Sequence, residues 1–126
     1  MSYKLLLKND MQILKFEWGK LIWYANSNLG QHEFTLGFCH IYQGWQNYIH
    51  IHPNCVETLH VLKGKILHSI GSDIIEMKEG DTITIQPNIS HNAKNIGQDT
   101  AELSISFSSG DRETININDG KNETSL

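Results

Sequence analysis

Apolar residues along the chain fall in short runs of strand length, broken at regular intervals by turn-forming residues, the spacing expected of a sandwich or barrel. The runs place strands at 33–42, 48–52, 57–62, 65–70, 74–78, 82–86, 91–95 and 101–107, with two further ones at 11–16 and 20–24. Between them stand Asn28-Leu29-Gly30, Gln43-Gly44, Lys63-Gly64-Lys65, Gly71-Ser72-Asp73, Glu79-Gly80-Asp81, Pro87-Asn88 and Asn95-Ile96-Gly97, each a turn signal. Sixteen isoleucines against three alanines, with eleven asparagines and ten glycines, disfavour helices and suit strands and turns. The expected fold class is all-β, a closed two-sheet roll. Past residue 108 the chain turns polar; 114–118 still alternates like a strand, and 119–126 reads as a frayed tail behind one domain spanning 1–118.

A chain of 126 residues is one domain, large enough to bury a core without a disulfide or a structural metal, so any metal it takes serves function. The net charge of −4 and the lack of any basic cluster argue against nucleic acid, whose binding is led by phosphate neutralisation. The opening Leu5-Leu6-Leu7 is flanked by lysines and too short for a signal segment, and no apolar run reaches membrane-spanning length. The chain is therefore expected to be soluble and cytoplasmic, with Cys39 and Cys55 as reduced thiols. The triplets Asn88-Ile89-Ser90 and Asn122-Glu123-Thr124 fit the glycosylation pattern, but a cytoplasmic chain would not meet that machinery.

Chemistry concentrates in the histidines. His50-Ile51-His52 sets two imidazoles at i and i+2 of a strand, where side chains share a face. Pro53-Asn54-Cys55 turns the chain and strand character resumes at Glu57, so a hairpin would bring Glu57 back to the two histidines. His91, after Pro87 and at the head of a later strand, is a fourth candidate. Three neutral imidazoles and one carboxylate form a nitrogen and oxygen donor set suited to divalent Fe, Mn, Ni, Co or Zn, with coordination positions left open. The plain alternative is four polar residues on exposed strand faces.

Spacing separates the two. Gly44, five residues, His50, one, His52, four, Glu57, six, Gly64 is an ungapped match to the first motif of the cupin superfamily, and Gly80 through His91 to Asn95 follows the second motif's overall spacing. The sequence resembles that family over 44–95, with two departures: Pro87 falls one place late, and Asn88 stands where a glycine is usual. Asn tolerates the left-handed conformation better than most residues, so the turn survives. The resemblance implies a jelly-roll barrel, a divalent transition metal held by His50, His52, Glu57 and His91, and a homodimer.

Strand parity then adds Tyr48, and with it Gln46, to the face of His50 and His52, making Tyr48 a candidate catalytic donor. Leu59 and Val61 share parity with Glu57 and would form an apolar floor, with Leu103, Ile105 and Phe107 opposite. A hairpin about Gly64 would put His60 across from His68 on the outer face, at or near a subunit contact. Cys55 is an alternative soft ligand for zinc; His32 and His40 have no assigned place. The function these features imply is a mononuclear metal enzyme acting on a small polyoxygenated or carboxylate substrate, by sugar acid isomerase or lyase chemistry or by dioxygenation. The alternatives are a non-enzymatic small-molecule or metal-binding module and a metal-free sugar epimerase using a His and acid pair.

Overall fold

The computed structural model describes residues 2–117. Eleven strands run in order: β1 (Gln12–Phe16), β2 (Gly19–Ala25), β3 (Thr35–Ile41), β4 (His50–Ile51), β5 (Glu57–Lys63), β6 (Lys65–Ile70), β7 (Asp73–Lys78), β8 (Thr82–Ile85), β9 (His91–Asn95), β10 (Ala101–Phe107) and β11 (Ile115–Asn116). The described helical residues form only two 3-10 turns, Lys8–Asp10 and Ser27–Leu29, and none is long and apolar enough to cross a membrane. The expected tail at 119–126 lies outside the described residues.

The strands form two antiparallel sheets, one ordered β1-β2-β3-β10-β5-β8 and the other β11-β4-β9-β6-β7. Strict alternation of buried and partly exposed residues along β3 and β10 sends one side chain in two into the space between the sheets. In register, Leu103 lies between Cys39 and Val61, and Ile105 between Gly37 and Leu59. Leu103, Ile105 and Phe107 therefore sit beside Leu59 and Val61 on the next strand, rather than opposite them. Gly37 is glycine because a Cβ there would strike the Ile22 carbonyl and the Trp23 ring. That close approach lets Trp23 lie flat over the sheet and into the core.

The expected hairpin about Gly64 does not form. β5 pairs with β10 and β8 in one sheet, whereas β6 pairs with β7 and β9 in the other, so the chain changes sheets at Gly64. Gly64 has φ +98° and packs on the Ala101 backbone, a corner only glycine makes without strain. Parity counted across a flat hairpin does not carry through such a corner. His60 stays outside, its Nδ1 2.6 Å from Thr82 Oγ1, but His68 turns inward and is 1% exposed. His68 is an interior residue and cannot lie at a subunit contact.

The same sheet change separates β4 from β5, so His50 and His52 meet Glu57 across the barrel rather than along a hairpin. β4 is shorter than the expected 48–52 because a side chain takes over the ladder: Asn47 Oδ1 accepts the Ala93 N–H at 2.8 Å. At Pro87-Asn88 the expected turn forms with Asn88 at φ +65°, and the Asn88 N–H donates to the His52 carbonyl at 3.1 Å. That bond ties the loop leading to His91 directly to the strand end that carries His52.

Candidate metal centre

His50 and His52 face inward from β4 and its continuation, Glu57 opens β5, and His91 opens β9, where it pairs with His50 in register. All four are buried, and one donor atom from each lies within 4.8 Å of every other. Donors about 2.1 Å from a shared ion stand roughly 3 to 4.2 Å apart, so only a slight contraction separates this arrangement from a coordination shell. Glu57 Oε1 is 2.9 Å from His91 Nε2 and 3.1 Å from His52 Nε2. The three imidazole rings pack at centroid distances of 4.3 to 5.1 Å.

The far side of each ring is equally organised. His50 Nδ1 meets the Tyr48 carbonyl at 2.6 Å, His91 Nδ1 the Ile89 carbonyl at 2.8 Å, and His52 Nδ1 the Glu113 carbonyl at 3.0 Å with Thr114 Oγ1 at the same distance. A carbonyl only accepts, so each Nδ1 carries the hydrogen, leaving the Nε2 lone pairs of the neutral rings to point at the common centre. His52 Nε2 is buried and, although close to Glu57, is not aligned for a hydrogen bond with any group. A desolvated lone pair of this kind costs stability unless something fills the centre. The donor set and this orphaned nitrogen both fit a divalent cation, and these four residues could hold one.

Burial and the neighbouring charges of His91 and His52 push His50 down to about 3, so it is neutral at physiological pH. Burial pulls Glu57 upward, but hydrogen bonds from His52 and His91 and their charges outweigh it and hold the carboxyl well below its usual range. Burial also opposes charge on His91, yet the hydrogen bond and charge of Glu57 raise it above the ordinary imidazole value. Without a cation the pair is thus an imidazolium against a carboxylate.

The cluster forms part of the wall of a cavity of about 260 Å³. Leu59, Leu103, Ile105 and Phe107 line it as expected, and Tyr48 stands at its rim with 45% exposure. Gln46 is exposed and instead accepts from Asn92 Nδ2 at 3.1 Å. Cys55 is outside the convergent group; burial raises its thiol to about 11. Cys39 and Cys55 are both thiols, in agreement with the sequence. His32 and His40 lie elsewhere, beside Ser27 and Glu102.

Two cavity residues escape sequence reasoning. His68 stacks parallel to His91 at 5.8 Å, its Nδ1 buried without a hydrogen-bond partner, and burial followed by the His91 charge lowers it to about 4. Only the sheet change at Gly64 would have located it. Arg112 comes from the polar segment before β11 and lines the cavity, with its guanidinium over Trp23 and Phe107. Its signal was in plain view: it is the chain's sole arginine, against nine lysines.

A family model described as Cupin domain matches residues 37–107, more than half of the chain, and the chain belongs to the cupin family. Among solved structures, the Lactobacillus farciminis oxalate decarboxylase formate complex superposes with a TM-score of 0.80 at 20% identity, over 87% of this chain and 34% of that one. A mutant of Bacillus subtilis oxalate decarboxylase gives 0.78 at 18%, over 85% and 30%. Oxalate oxidase in complex with glycolate gives 0.64 at 24%, over 68% and 46%. The chain spans about a third of the decarboxylases and under half of the oxidase, and at these identities the likeness is one of fold. A search of curated proteins finds no match.

Proposed function

We propose that this cupin is a mononuclear metal-dependent enzyme, with His50, His52, Glu57 and His91 as the ligands and a small carboxylate or polyoxygenated molecule as substrate. One observation carries the reading: three imidazoles, each tethered by Nδ1 to a backbone carbonyl, aim Nε2 at one buried point shared with a carboxylate. Such tethers set tautomer and ring orientation before a cation arrives. When bound, a divalent ion supplies a Lewis acid of local charge about +1 after Glu57 is counted, which favours anionic oxygen donors. The structurally similar oxalate decarboxylases and oxalate oxidase point to the same substrate class.

The chain's own contributions follow from position. Leu59, Leu103, Ile105 and Phe107 exclude water from one side of the cavity and strengthen electrostatic contacts within it. Tyr48, at the rim, is placed to donate a hydrogen bond or proton to a substrate entering from solvent. Lyase or isomerase chemistry needs only the polarised oxygen, whereas dioxygenation needs iron. A homodimer accompanies the reading, supported by Ile74, 71% exposed, and its neighbour Ile75 on the edge strand β7.

A second reading draws on a specific contact. The His91 and Glu57 pair, 2.9 Å apart and buried, is also what a metal-free proton transfer would use. Metal analysis separates the two. Protein purified without chelator is expected to hold about one equivalent of transition metal, lost in His50→Ala and in Glu57→Ala. Full metal retention in both variants overturns the ligand set, and wild-type protein that takes up no metal leaves the proton-transfer reading. Carbon dioxide release and oxygen consumption, followed with oxalate, glycolate and malonate, then divide lyase from oxygen chemistry.

A further inference from the structure

We infer that Arg112 is the carboxylate-binding residue of the cavity, so that a bound substrate spans the metal centre and this guanidinium. The inference rests on the proposed metal site and deepens it by fixing the chemistry at the substrate's other end. Arg112 is the sole guanidinium or ammonium group among the described residues that line the cavity; no lysine reaches it. It also lies outside the span of the family match, 37–107, so it is a feature of this chain's own closing segment.

Three contacts hold the group in place. Its Cζ sits 4.6 Å above the Trp23 ring and 5.2 Å above the Phe107 ring, and Nη1 donates to Thr114 Oγ1. The rings take the flat faces of the guanidinium, which directs its N–H edge groups sideways, the geometry for in-plane recognition of a carboxylate. A guanidinium carries five donors, so serving Thr114 does not exhaust it. Thr114 Oγ1 is also 3.0 Å from His52 Nδ1, and Phe107 packs its ring 4.9 Å from His52. Arg112 is therefore one hydroxyl away from a proposed metal ligand. With Glu57 as the cavity's carboxylate, a divalent ion and Arg112 together leave an excess of about two positive charges, which an anionic ligand neutralises.

The test uses the full chain loaded with Co(II), with metal content and circular dichroism recorded for every protein. Glycolate, its neutral amide and imidazole are titrated calorimetrically into wild type, Arg112→Gln and Arg112→Lys. Imidazole reports the open metal position without using charge. Gln keeps an N–H donor for Thr114, and Lys keeps the charge without the planar fork. Glycolate affinity is expected to fall roughly ten- to a hundredfold in Arg112→Gln and by a smaller factor in Arg112→Lys. Imidazole and the amide should stay within about twofold in both variants.

Unchanged glycolate affinity in Arg112→Gln overturns the inference while leaving the metal site intact. Equal losses for glycolate, amide and imidazole also overturn it, because the arginine would then shape the cavity rather than hold an anion. Wild-type protein that fails to take up Co(II) overturns the metal reading and this inference with it.

Discussion

His91 Nε2 lies 2.9 Å from Glu57 Oε1, and the contact joins the two sheets: Glu57 is the first residue of β5 in one, His91 the first residue of β9 in the other. Each residue comes from a separate motif, so the pair exists only once the sheets close on each other. Without a cation it is an internal ion pair, in which the Glu57 carboxylate overcomes the burial of His91 and keeps it protonated.

That pair sets the pH dependence of metal uptake. A cation arriving at the centre must displace the His91 proton, whereas His50, held at about 3, brings none above pH 5. Protons and metal compete for the same nitrogen, so affinity should weaken by about tenfold for each pH unit per proton displaced. Calorimetry at pH 7, 6 and 5, in buffers of different ionisation enthalpy, should show proton release and progressively weaker binding. Affinity that does not change over this range would refute the donor assignment.

His68 makes metal-free protein sensitive to acid. Its folded value is about 4 and its unfolded value about 6.5, so between these the unfolded chain binds the extra proton and stability falls as pH falls; the loss is complete near pH 4. The contribution is of the order of 3 kcal/mol. Its Nδ1 has no partner, so His68→Leu leaves no group unpaired by its removal. Urea unfolding of chelator-treated protein from pH 7 to 4 should show a shallower decline in the variant than in wild type. Parallel declines would mean that His68 does not stay neutral inside the barrel.

Asn88 occupies the left-handed region at φ +65° in the turn before His91. Asn88→Gly should therefore be neutral within about 0.5 kcal/mol, since glycine adopts this conformation freely. Asn88→Val should cost about 1–2 kcal/mol, because a branched Cβ crowds the carbonyl there. Chemical denaturation of both variants decides it, and equal stability of the two would show that the turn relaxes.

Much of the architecture was legible from local pattern. The strands at 65–70, 91–95 and 101–107 match β6, β9 and β10 to the residue, because two-residue alternation and Gly or Asn turns are local properties. The outward turn of His68 was misread because parity survives along a strand but not through a corner, and sequence does not mark Gly64 as a corner rather than a hairpin. Tyr48 and Gln46 share the parity of His50, yet Gln46 misses the cavity, since the strand ladder has already given way to the Asn47 side chain. Arg112 was passed over for a related reason: the polar stretch that carries it has no periodicity, and its value comes from β11 folding back onto β4.

The order of residues by itself determined an all-β chain and the four donors, because donor chemistry and the spacing of His50, His52 and Glu57 are written in neighbouring positions. Tertiary structure decided which sheet each strand joined, which histidine became a fifth interior imidazole, and where the one arginine came to rest. Those outcomes depend on contacts between segments distant along the chain, and the packing that selects among them exists only after both sheets have closed.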